Sequence, residues 1–228
     1  MPNGPIVDFS GTVRLFPLPN LVLFPHVGQP LHIFEPRYRQ LMADAVDDDR
    51  LIGIALLRPG WEEDYHKKPP IHDTVCVGRI INEEKLSDGR YNLILQGVCR
   101  GRIREEIKTG KMYRTARVDL MPDQPIASNH TERELRRELG QSVSPFFSAN
   151  PSAAEQFQQL LEAKLPLGAM TDIFSFALPL EVEQRQQLLE EACVDTRIRL
   201  LLSMLDKKTP PVLPTPRQRK FPPEFSAN

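Results

Sequence analysis

The sequence predicts an α+β protein with a β-rich N-terminal unit over residues 11–122, a helical bundle over residues 130–206 and a proline-rich flexible tail over residues 207–228. Three observations predict it. Up to Met121 the apolar residues come in short runs cut by proline, glycine and Asp-Gly, whereas beyond Thr131 they recur at helical spacing. The change falls at residues 122–129, PDQPIASN, a loop-forming composition. Two capping-box patterns, Thr131-x-x-Glu134 and Ser152-x-x-Glu155, then open apolar stripes. In such a box the hydroxyl and the carboxylate each satisfy an unpaired terminal N–H.

Residues 1–10 read as a loosely held leader. Val13, Leu15 and Leu18 begin an extended run that Pro17 and Pro19 keep from becoming helix. Residues 21–24, LVLF, are apolar throughout and stopped by Pro25; Leu31, Ile33 and Phe34 form a second strand. Pro36 suits a first helical turn, where its missing N–H would have no partner anyway, and Tyr38, Leu41, Met42 and Ala45 follow at helical spacing. Asp47, Asp48 and Asp49 oppose the negative end of that helix dipole and read as a solvated turn.

Residues 51–57, LIGIALL, are a buried strand by their unbroken apolar, partly β-branched run. Residues 58–70 form an aperiodic surface loop. Val75, Val77 and Ile80 mark the next strand, in which Gly78 suggests a bulge or a close backbone approach. Asp88-Gly89 makes a hairpin turn, and Tyr91, Leu93 and Leu95 then alternate with Asn92, Ile94 and Gln96 in a strand running through Gly97 to Ile103. Residues 112–121 form the last strand, closed by Pro122.

In the second half, one helix carries Leu135, Leu139 and Val143 and ends near Pro145; another carries Phe157, Leu160 and Leu161. A short apolar helix spans residues 167–177 between Pro166 and Pro179, and residues 182–192 form a fourth. Asp195 caps a last helix bearing Ile198, Leu201, Leu202 and Leu205.

A chain of 228 residues, 40% hydrophobic and 26% charged, can bury a good core. Its net charge of -1 gives no global attraction to nucleic acid or acidic membranes. Cys76, Cys99 and Cys193 are odd in number and far apart, which suits a reducing compartment rather than a disulfide framework. The N-terminus lacks the pattern of a signal peptide and no stretch is long enough to span a bilayer, so a cytoplasmic location is expected.

The candidate chemistry is sparse. His66, His72 and Cys76 match no standard zinc spacing, and neither a metal nor a cofactor is expected. There is no G-x-S-x-G elbow and no G-x-x-x-x-G-K-[ST] phosphate loop, since Gly110-Lys111 is followed by Met112. Glu62, Glu63 and Asp64, like Glu83 and Glu84, read as solvated acids. Trp61, Tyr65 and His66, in the long loop, are candidate polypeptide contacts, because exposed loop aromatics are enriched at binding hot spots. The plainer alternative is that Trp61 plugs the β core. Arg100, Arg102 and Arg104 alternate along one strand and are candidates for phosphate or RNA. The balanced charge, Glu105, Glu106 and the scarcity of aromatics favour an exposed, ion-paired strand instead.

Three stretches carry a family resemblance. LFPLPNLVLFPHVGQPLHIFEPRY, from Leu15, resembles the opening of the Lon protease N-terminal, substrate-binding domain. NLILQGVCRGRI, from Asn92, resembles that family's strand with Gly and paired Arg, and residues 165–205 its helical close. The resemblance implies a PUA-like β-barrel-type unit followed by an α-helical bundle. It also implies non-catalytic recognition of a polypeptide client or partner, as an adaptor or holdase-like binder, without the ATPase or serine–lysine peptidase modules. An RNA-binding PUA-like module and a small-molecule sensor or enzyme remain the alternatives.

Overall fold

The computed structural model describes residues 6, 9–64, 67–126, 131–148 and 151–206. Six strands come first: β1 (Thr12–Leu18), β2 (Gly28–Ile33), β3 (Leu51–Leu56), β4 (Thr74–Lys85), β5 (Tyr91–Ile107) and β6 (Arg114–Met121). The helix α1 (Pro36–Val46) lies between β2 and β3. Five helices follow: α2 (Glu132–Val143), α3 (Pro151–Glu162), α4 (Leu167–Ala177), α5 (Val182–Glu190) and α6 (Val194–Leu205).

The sheet order is β2-β5-β4-β3-β1-β6, and β6 also pairs with β5. The long β5 makes this possible: its first half pairs with β2 and its second half with β6, while β4 runs along its other side. The pairings therefore close β5-β4-β3-β1-β6 into a ring and leave β2 outside it as an edge. The fold class is α+β, as the sequence predicts.

The period-2 alternation of the strands produces two cores. Val13, Leu15, Leu51, Ala55, Val75, Val77, Ala116 and Val118 point to the inside of the ring. Phe16, Ile52, Ile54, Leu56 and Cys76, their neighbours in sequence, join a larger cluster with α1 and the C-terminal helices, including Leu135, Leu139, Phe174, Ile198 and Leu201. β3 is thus buried on both faces, which is why LIGIALL reads as unbroken apolar sequence. Each such Val, Leu or Ile contributes about 1.5–3 kcal/mol on burial.

Two glycines set the geometry. A Cβ at Gly101 would lie 2.4 Å from Val118 Cγ1 inside the ring, and one at Gly97 would lie 2.0 Å from the Phe24 carbonyl oxygen. Gly97 is where the LVLF segment, which is buried without being a strand, crosses β5. The His26 N–H donates to the Gly97 carbonyl at 2.9 Å and the Gly97 N–H to the Val27 carbonyl at 2.8 Å. Gly78 does mark a bulge, with the register shifting between Val77 and Gly78.

Several local expectations change. Asp48 and Asp49 are not simply solvated, because both pair with Arg14 on β1. The Thr131–Glu134 capping box forms as expected. Ser152, however, lies inside α3, whose first residue is Pro151; the proline, already set to helical φ, extends the helix beyond the serine. α6 begins at Val194 with Cys193 as its N-cap, so Asp195 sits in the first turn and accepts from the Cys193 thiol at 2.9 Å. A capping box at Glu181 and Gln184 opens α5 and carries no Ser or Thr to announce it. The tail at residues 207–228 lies outside the described residues.

Candidate functional site

The junction between ring and helices is built on charge. Arg100 leaves β5 on the face that meets the helices, opposite Cys76 in register. Both its terminal nitrogens bind Asp172, Nη1 at 3.0 Å from Oδ2, while Nη1 also reaches Asp123 at 3.1 Å and Nε donates to the Leu189 carbonyl at 3.0 Å. Arg197 on α6 donates through Nη2 to both Asp123 oxygens at 2.9 Å and through Nη1 to the Glu191 carbonyl at 2.8 Å. Its Nε lies 3.2 Å from Asp172 Oδ1 but without hydrogen-bond alignment.

Arg100, Arg197 and Asp172 have relative exposures of 1%, 0% and 0%. Burial works against charge at Arg100, but contact with Asp172 and Asp123 outweighs it and raises the guanidinium pKa. Burial also pushes the Asp172 carboxyl up, against the pull of both guanidiniums. Two guanidiniums face two carboxyl groups, and all their hydrogen-bonding groups but Arg197 Nε bond to one another or to backbone carbonyls. The cluster fastens the two halves of the protein together.

This overturns part of the arginine reading. Arg100 is buried and held by Asp172 and Asp123, so it is not one of an exposed row of arginines along the strand. Arg102 and Arg104 are exposed, and Arg104 pairs with Asp119. A register shift between Ile103 and Glu105 breaks the strict alternation that a ladder requires. Asp123, Asp172 and Arg197 escaped the sequence reading. Asp172 carried a signal: it is the one charge in the helix LGAMTDIFSFA, and a charge on a buried helix requires a partner.

Trp61 opens a short 3-10 turn (Trp61–Asp64) and packs, half-buried, against the ring-interior cluster. Tyr65 and His66 lie outside the described residues. Cys76 is fully buried, which pushes its thiol pKa up, and His72 faces Glu190 at 3.3 Å. Among the described residues, no group of three His, Cys, Asp or Glu side chains could hold a metal ion.

What remains are surfaces. Phe34, just past the end of the β2 edge, is 47% exposed, and Ile81, on β4 across β5 from it, is 43% exposed. On the helical side, a groove of about 660 Å³ runs between α2 and α3, lined by Arg133, Arg136, Arg137, Gly140, Phe157 and Leu161 among others.

The fold is similar to those of solved Lon N-terminal domains. The Lon N-terminal domain protein from Xanthomonas campestris shares it with a TM-score of 0.59 at 23% identity, over 84% of this chain and 97% of that one. The N-terminal domain of Mycobacterium avium complex Lon protease shares it with a TM-score of 0.67 at 16% identity, over 87% and 100%. The chain belongs to the ATP-dependent protease La (LON) substrate-binding domain family, whose model matches residues 12–207. Among full-length relatives, Lon protease 2 of Myxococcus xanthus is 28% identical over 88% of this chain, and Lon protease of Anaeromyxobacter dehalogenans 26% over 88%. The chain spans 24% of the length of each. No described helix is long and apolar enough to cross a membrane.

Proposed function

We propose that this chain recognises unfolded or extended polypeptide and does not cleave it, acting as an adaptor or holdase-like binder. The observation that carries the reading is the substrate-binding family match over residues 12–207. The surfaces support it in kind. The β2 edge offers backbone groups for strand addition, with the exposed Phe34 at its end as an apolar contact. Trp61 is half in the ring core, so a client can meet only its outer part. The buried charge cluster supports a role without chemistry, because its acids and guanidiniums are committed to one another.

The test is fluorescence anisotropy of labelled casein titrated with the chain, with and without ATP. Saturable binding in the micromolar range, on the order of -8 kcal/mol, is expected with no effect of nucleotide and no shortening of the casein. Absence of binding, or peptide-bond or nucleotide turnover by the pure chain, overturns the reading. So does RNA that competes fully with the casein.

A further inference from the structure

The groove between α2 and α3 joins apolar side chains to arginines. On α2, Leu135, Leu139 and Val143 face the core, while Arg133, Arg137, Gly140 and Gln141, with Ser144 just past the helix, recur at helical spacing on a second stripe that faces the groove. A glycine in a helix interior costs about 1 kcal/mol relative to alanine. Here it makes room for α3: a Cβ at Gly140 would lie 3.3 Å from Leu161 Cδ2, so the glycine lets the leucine pack against α2 and form an apolar floor with Phe157. Phe157 is held in turn by stacking on Phe147, with ring centroids 5.2 Å apart.

The rim is basic. Arg136 is held by Glu132 and by the Leu165 carbonyl. Glu134 bonds back to the N–H and hydroxyl of Thr131 within the capping box. Arg133 and Arg137 are exposed and have no carboxylate partner among the described residues. An apolar floor between two helices, with unpaired guanidiniums along one wall, complements a segment that presents leucine or phenylalanine flanked by carboxylates.

Resting on the polypeptide-recognition reading above, we propose that the α2–α3 groove is a docking site for acidic, apolar peptide segments, bound with Leu or Phe against Phe157 and Leu161 and with Asp or Glu on Arg133 and Arg137. The chain therefore selects among unfolded clients by charge as well as by hydrophobicity.

The probe is a labelled peptide of Leu and Phe anchors flanked by Asp and Glu, read by anisotropy against the same peptide with Lys for every acid. The full chain, an Arg133→Glu/Arg137→Glu variant and an Arg102→Glu/Arg104→Glu variant of equal net charge are compared. The acidic peptide is expected to bind the unaltered chain, more weakly as salt rises, and the α2 reversal to weaken it about tenfold. The β5 reversal is expected to change it less than about twofold, and the Lys peptide to bind the α2 variant better than the unaltered chain. Both arginines are exposed, so far-UV circular dichroism of the variant should match the unaltered chain. Equal weakening by both reversals, or equal binding of the two peptides, overturns the proposal. Casein binding that survives in the α2 variant while the acidic peptide shows no preference sinks this inference alone. Loss of all polypeptide binding by the unaltered chain sinks the recognition reading itself.

Discussion

At the scale of single residues, two polar contacts have consequences that can be measured. Arg100 is the sole β5 side chain in the buried charge cluster, and its loss would leave Asp172 facing only the misaligned Nε of Arg197. Arg100→Met is therefore expected to cost about 3–5 kcal/mol in urea unfolding, the usual size when one partner of a buried ion pair is removed. The second contact is the Tyr113 hydroxyl, which donates to Asp44 at 2.6 Å and so ties β6's leading loop to α1. Burial, and then this bond, push the Tyr113 phenol from 10.0 up to about 12, while the same bond, ahead of Lys111, holds Asp44 below 3.8. Tyr113→Phe is expected to cost about 1–2 kcal/mol at neutral pH. That cost shrinks at both extremes. As pH falls below 3.8 the depressed Asp44 carboxylate takes up its proton and the contribution is lost, and as pH rises from 10.0 through about 12 the raised Tyr113 loses its proton and its donor. Unfolding curves of the two proteins across pH check the shape.

At the scale of elements, the glycines and caps decide which strands and helices can sit where they do. Gly97→Ala would drive a methyl into the Phe24 carbonyl, and backbone cannot give way there as a flexible side chain could. We expect a loss of several kcal/mol, roughly that of overpacking a tight core or more. Gly60→Ala, with nothing within 4 Å of the new Cβ but a φ of +86, is expected to cost only about 1 kcal/mol. Thr131→Ala removes the hydroxyl that accepts the Glu134 N–H and is expected to cost about 1 kcal/mol, most of it from α2. The same elements show what the sequence made legible. α4 occupies residues 167–177 because prolines bound it on both sides, and β3 was visible as unbroken apolar sequence. The bulge at Gly78 was announced by its glycine, and the hairpin at Gly89, with φ of +82, by the Asp88-Gly89 pair. Less legible were features made by distant partners. Arg100 looks like one tooth of an exposed ladder until Asp172, 72 positions away, is placed against it. The α2–α3 groove needs two helices to exist before its arginines share a wall.

At the scale of the whole molecule, the change from strands to helices near residue 122 is a change of secondary structure across a continuous core. Leu135, Leu139 and Ile198 from the helices belong to the same apolar cluster as Phe16, Ile54 and Leu95 from the strands. Polar contacts cross the same boundary: Arg100 with Asp172, the Gln186 side-chain amide donating to the Thr74 carbonyl at 3.0 Å, and a β-bridge between Gln124 and Cys193. Without the helices that follow β6, the strand ring and α1 would leave exposed the part of the apolar cluster that α5 and its neighbours cover against β4, and the Arg100 guanidinium would lose Asp172. Exposing that surface costs far more than the freed backbone would recover in entropy, so we expect the two halves to unfold together. Trp61, the single tryptophan, sits against the ring interior and reports on the strands, while circular dichroism at the helical minimum reports chiefly on the C-terminal half. The two urea curves should coincide in midpoint and steepness, and Arg100→Met should move both by the same amount. A helical signal that melts first, leaving the tryptophan environment intact, would make the helices a separable wing and place the charge cluster at a hinge rather than in a core.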